Sequence, residues 1–141
     1  MISIIYFLFF FLFFLDIFFK EFSLKHIKNQ EPICFFNKKI QFLCVFNYGI
    51  AFNFLSNRKK LILFINFFLF LYLIYFFIEN PNLKFPLSLI LCGGLGNFLE
   101  RCYRGFVVDY IYFNIKKMPV FNLSDFYILF GIINLLFLGE L

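Results

Sequence analysis

The sequence predicts a membrane α-helical protein with four transmembrane helices and a small β-sheet between the first and second. Three observations carry that expectation. Hydrophobic residues make up 63% of the 141 residues, 29 positions are phenylalanine, and the mean hydropathy is +0.89; a soluble domain cannot hide that much apolar surface. Four apolar runs approach the roughly 20 residues that a helix needs to cross a bilayer. Between the first two runs, apolar residues come in short stretches around a polar turn, as in a hairpin. The length fits one domain, residues 1–141, and no polar tract is long enough to form a second.

The first run, residues 2–19, is broken only by Ser3, Tyr6 and Asp16. It has neither a basic segment before it nor a small-x-small site after it, so it reads as a retained anchor rather than a cleaved signal. Ile33 to Phe36 and Ile40 to Phe46 flank Asn37-Lys38-Lys39, a turn with a polar tip, and predict a small sheet lying on the membrane. Gly49 to Leu55 reads as a short interfacial amphipathic segment. The second run, residues 61–78, is interrupted by Asn66, Tyr72 and Tyr75. The third, residues 85–101, contains Ser88, Gly93, Gly94 and Gly96, small residues that let neighbouring backbones approach closely. The fourth, residues 123–141, would be about 28 Å long at 1.5 Å per residue, enough to span with little tilt.

Charge raises a question of orientation. Eight of the 13 basic residues lie between Lys20 and Lys60, the loop before the fourth run holds Arg101, Arg104, Lys116 and Lys117, and only Lys84 lies in the second loop. By charge alone, loops one and three would be cytoplasmic. Other classes of function find little support. Cys34, Cys44, Cys92 and Cys102 form no C-x-x-C pair and the single histidine is His26, so no zinc site or histidine-based triad is expected. A Cys34 to Cys44 bridge would close the hairpin if that loop met an oxidising compartment. Gly93-Gly94-Leu95-Gly96 follows no strand and is not a phosphate loop. No metal, cofactor or nucleic-acid partner is expected.

The polar residues within or beside the apolar runs carry the chemistry. Asp16 and Lys20 stand four apart, in the favourable order for a helical ion pair. They either anchor a helix end at the interface or organise a site. Asn97 and Arg101 share one helical face, and arginine can fork two hydrogen bonds onto a carboxylate. Asn122 and Ser124 read as caps of the fourth helix, with Asp125 in its first turn, where the helix dipole favours negative charge. Capping does not account for Asp109, which is set in the apolar stretch Gly105 to Phe113 without a basic neighbour. Two aspartates brought together in such surroundings cannot both ionise cheaply, so one keeps a proton near neutral pH. One acid and one base of this kind are what an aspartic peptidase needs. In the competing reading, a small membrane scaffold or transporter subunit, the same charges serve only as interhelical pairs.

Taken in order, Asp16-x-x-x-Lys20, Asn47-Tyr48-Gly49-Ile50-Ala51-Phe52, Gly93-Gly94-Leu95-Gly96-Asn97-x-x-Glu100-Arg101, Gly105-x-Val107-Val108-Asp109 and Phe121-Asn122-x-x-Asp125 resemble the motifs of lipoprotein signal peptidase, the signal peptidase II family. The likeness runs through nearly the whole chain. It implies a membrane aspartic peptidase of the bacterial inner membrane. Such an enzyme removes signal peptides from prolipoproteins, cutting before a cysteine that carries a diacylglyceryl group. Carried over by position, Asp109 and Asp125 are the catalytic pair, and Asn47, Gly49, Asn97, Arg101 and Asn122 bind substrate or support the site together with Asp16 and Lys20. The resemblance also implies that the sheet is extracytoplasmic, that both termini are cytoplasmic, and that the segment from Gly49 to Leu55 partly covers the substrate. The sequence departs from the family pattern at Glu100, where the family has aspartate, at Ile50, where it has alanine, and at Cys92 and Gly94.

Overall fold

The computed structural model describes residues 2–50, 55 and 58–139. Four helices appear where the four apolar runs lie: α1 (Ile2–His26), α2 (Lys59–Glu79), α3 (Lys84–Arg104) and α4 (Leu123–Gly139). The strands are β1 (Ile33–Phe35), β2 (Ile40–Asn47), β3 (Val107–Phe113) and β4 (Val120–Phe121). Among the described residues, α2 is the one helix long and apolar enough by composition to cross a membrane, and α4 is a shorter apolar helix.

Helix α3 is the central element and packs against α1, α2 and α4. Its buried residues, among them Leu89, Cys92, Gly93, Gly96, Asn97 and Arg101, repeat every three or four positions and so form one face. Small residues make that contact close, as the sequence predicts. A β-carbon on Gly93 would lie 2.2 Å from the Ser124 carbonyl oxygen, and one on Gly131 would lie 2.7 Å from that of Pro86. Gly105 ends α3 in the left-handed region at φ 86°, donating its N–H to the Arg101 carbonyl, the usual reason for glycine just past a helix. Away from α3, the aromatic side chains Phe7, Phe10, Phe11 and Phe14 of α1 and Phe64, Phe67 and Phe68 of α2 are exposed.

The sheet corrects the expectation of a hairpin confined to the loop between the first two helices. It has four antiparallel strands in the order β1-β2-β3-β4, so the loop before α4 contributes half of it. β2 pairs with β3 through Val45↔Asp109 and Asn47↔Val107, with an irregularity between Phe42 and Val45. There the Leu43 carbonyl accepts a hydrogen bond from the buried Ser23 hydroxyl of α1, which fixes the sheet on the helices. The turn between β1 and β2 places Phe36, Asn37 and Lys38 at positive φ. Cys34 faces Gln41 across the hairpin and both Cys34 and Cys44 are free thiols, so the bridge across the hairpin is not formed. The segment expected to lie in the interface, Gly49 to Leu55, falls mostly outside the described residues, as do Ala51 and Phe52 of its motif and the last two positions of the fourth run.

Candidate active site

Asp109 projects from β3, an inner strand whose first four residues are all buried. Asp125 stands in the first turn of α4. Asn122, just before α4, joins them. Its side-chain oxygen accepts the Asp125 N–H at 3.0 Å while the Asp125 carboxylate accepts the Asn122 N–H at 3.0 Å, a reciprocal cap of the helix end. That leaves the Asn122 NH2 free to donate to Asp109 Oδ1 at 2.7 Å. The cap expected from sequence is therefore present, and the same residue also holds the second aspartate.

The remaining carboxylate oxygens are held by asparagines as well. Asn47 Nδ2 donates to Asp109 Oδ2 at 2.9 Å, and Asn47 Oδ1 is occupied by the Gly49 N–H at 3.0 Å. Asn97 Nδ2 donates to Asp125 Oδ1 at 3.0 Å, and its oxygen accepts from Lys20 Nζ at 2.8 Å. An ammonium group has only donors, so it fixes which way the Asn97 amide faces.

Asp16 and Lys20 form the expected ion pair at 2.8 Å, with side chains 1% and 4% exposed. Helix α1 continues six residues past Lys20, so the pair lies inside the protein and does not anchor a helix end. Ser124 Oγ donates to Asp16 Oδ2 at 2.6 Å and Tyr110 Oη to Asp16 Oδ1 at 3.1 Å. Ser124 therefore acts as a partner of Asp16 rather than as a cap. Lys20 also reaches Glu100 at 3.1 Å. Glu100 in turn meets Arg104, which also pairs with Glu21, and accepts the Val108 N–H. The glutamate that departs from the family pattern thus uses its length to tie α1, α3 and β3 together.

Arg101 forks as anticipated, but onto a carbonyl rather than a carboxylate. Nε and Nη2 both donate to the Gly49 oxygen, at 3.2 and 2.7 Å. This fastens the chain leaving β2 to α3. Tyr110, Ser124 and Glu100 were not singled out as supporting residues by the sequence reading. No local signal marks Tyr110, because Val107 to Tyr110 are buried in succession and lack the alternation of a half-exposed strand.

Asp109, Asp125, Asn47, Asn97 and Arg101 line one cavity of about 760 Å³, together with apolar residues such as Phe46, Leu69, Phe70, Ile128 and Ile132. That volume is in the range of small-molecule and peptide side-chain sites. Among the described residues no cation bonds directly to either aspartate of the cavity, and no cluster suited to a metal ion occurs. Burial, reinforced by the charge of nearby Asp125, pushes the Asp109 carboxyl up to about 7, against the opposing pull of the Asn47 and Asn122 hydrogen bonds.

The profile of the Signal peptidase (SPase) II family matches residues 8–139. The chain belongs to the signal peptidase II family. A lipoprotein signal peptidase of Caldicellulosiruptor bescii is 38% identical over 111 residues, covering 77% of this chain and 73% of the relative. One from Streptococcus agalactiae serotype Ia is 33% identical over 121 residues, covering 83% and 79%. A bacterial membrane enzyme solved by the in meso method at 2.3 Å resolution superposes with a TM-score of 0.91 at 26% identity, covering 99% of this chain and 90% of the other. A second such enzyme, solved at 1.9 Å, gives a TM-score of 0.87 at 27% identity. As a member of the signal peptidase II family this chain is a membrane peptidase of the aspartic class, and the scaffold reading falls away.

Proposed function

We propose that Asp109 and Asp125 are the catalytic pair of this peptidase and that its substrates are prolipoproteins carrying a diacylglyceryl cysteine. The observation that carries the reading is the cavity they share. Both carboxylates open onto it, their oxygens are oriented by asparagine amides and a backbone N–H, and no cation among the described residues bonds to them. The pair holds one proton near neutral pH. Its ionised member takes a proton from a water that attacks the scissile carbonyl, while its protonated member donates to the carbonyl oxygen; the proton taken from the water then passes to the departing amine as the tetrahedral intermediate collapses and its hydroxyl returns a proton to the pair. Asn47, Asn97 and Asn122 hold the carboxylates, Lys20, itself paired with Asp16, holds Asn97, and Arg101 holds Gly49. The apolar wall accepts a lipid-bearing substrate. In this reading the four helices all span the bacterial inner membrane, the chain forms a single membrane-embedded domain, and both termini are cytoplasmic.

The test is cleavage of a synthetic diacylglyceryl prolipoprotein peptide by purified protein in detergent. Asp109→Asn and Asp125→Asn nearly preserve volume but cannot share the proton, so each should abolish cleavage while membrane insertion continues. Cleavage near the wild-type rate in either variant removes that residue from the pair.

A further inference from the structure

The wall of the cavity formed by α2 carries one residue that the catalytic reading leaves unused. Asn66 is the only amide in the apolar stretch from Leu61 to Ile78, and it lines the same cavity as Asp109 and Asp125. Asn66 lies two helical turns from Lys59, the end of α2 nearest the sheet, and Asn97 lies two turns from Arg104, the corresponding end of α3. At 1.5 Å per residue both are about 10 Å below that end. Contact between Phe70 and a β-carbon built on Gly94, together with the Phe70 to Phe98 ring contact, supports the same pairing of levels between the two helices. Asn66 therefore stands at the depth of the amide that holds Asp125.

Its bonding state is also unusual. Asn134, the amide in the apolar interior of α4, donates to the Phe130 carbonyl of its own helix at 2.8 Å. Asn66 is only partly exposed and has no hydrogen-bond partner among the described residues. In an apolar setting an amide without a partner costs free energy, and the cost is relieved when a ligand supplies one. An extended peptide, or the glyceryl esters of a lipid, brings unpaired carbonyl oxygens to this depth.

We propose that Asn66 is a substrate-contacting residue whose side-chain NH2 donates to a carbonyl oxygen of the bound substrate, across the cavity from the aspartates. The proposal rests on the peptidase reading above. A contact made equally in the ground and transition states changes KM and leaves kcat alone.

The experiment compares wild type with Asn66→Leu, a change that makes α2 more apolar and so maintains membrane insertion. One net hydrogen bond corresponds to roughly a three- to tenfold rise in KM with unchanged kcat. The same comparison is made by equilibrium binding of the uncleaved diacylglyceryl peptide in an Asp109→Asn background, where the expected weakening is of the same size. Cleavage of the peptide in that background would itself report failure of the aspartate pair, and the KM comparison would then still test the contact, so the two failures are told apart. Repeating the binding with a dialkyl ether lipopeptide identifies the acceptor. A penalty that persists assigns a peptide carbonyl, and one that vanishes assigns an ester carbonyl. Equal affinity of the two proteins for the diacyl peptide, or a fall in kcat at constant KM, overturns the proposal.

Discussion

An asparagine side chain can present either its oxygen or its NH2 to a neighbour, and in this site the choice is made from behind. Gly49 N–H, Lys20 Nζ and Asp125 N–H occupy the oxygens of Asn47, Asn97 and Asn122 respectively, which turns all three NH2 groups towards the aspartates. The two duties of Asn122 can be separated. Asn122→Ser keeps a good helix cap but is too short to donate to Asp109, so the thermal midpoint should stay close to wild type. Loss of one hydrogen bond to a charged group should lower kcat/KM by roughly 10- to 100-fold. A proportionate loss of both stability and activity would mean that the cap alone matters. The acidity of Asp109 gives a second expectation. Its carboxyl is raised from 3.8 to about 7, so between those values the folded protein keeps a proton that the unfolded chain has released. Stability should therefore fall as pH rises through that window. The acid form is lost above it, so kcat/KM should decline on the alkaline side of about pH 7, and a pH-rate profile flat to pH 9 would contradict this.

At the scale of elements, α3 is the part on which the others depend, and its glycines can be ranked. A methyl group on Gly93 would meet backbone of α4 at 2.2 Å, whereas one on Gly94 would meet only the ring edge of Phe70 at 3.3 Å. Gly93→Ala should therefore cost about 1–3 kcal/mol by overpacking and lower the thermal midpoint in detergent, while Gly94→Ala should be nearly silent. Equal midpoints would mean that α3 and α4 can move apart freely. The helices and the close packing at these glycines were legible because both depend on local composition. The hairpin of β1 and β2 was legible from its turn. The partner strand β3 was not, because Val107 to Tyr110 are buried in succession and the run lacks the alternation that marks a half-exposed strand. Asp109 and Asp125 could be singled out as charges in apolar surroundings. What could not be read was which atoms they meet, since Ser124 to Asp16 and Arg101 to Gly49 span 108 and 52 positions of sequence and depend on the assembled bundle.

For the whole molecule, the pairing of β2 with β3 joins the loop after α1 to the loop before α4, so in the proposed four-span arrangement both lie on the same side of the membrane, opposite the Pro81–Leu83 turn between α2 and α3. Two orientations remain. Counting basic residues puts the sheet in the cytoplasm, but the count includes residues that are not free to interact with lipid. Lys20 is buried between Asp16 and Glu100, Arg104 is paired with Glu100 and Glu21, and Arg101 is spent on the Gly49 carbonyl. The remaining lysines still favour the cytoplasm, yet charge bias is a tendency rather than a prohibition. The proposed substrate argues the other way, because lipoprotein signal peptides are cut at the outer face and the cavity with Asp109 lies at the sheet end of the bundle. The proposed function therefore requires the sheet outside. A reporter inserted near Lys38 should be active only on the outer side and one joined after α4 only in the cytoplasm. The reverse pattern would set the aspartates on the face where no lipoprotein substrate arrives, and the proposed orientation would have to be abandoned.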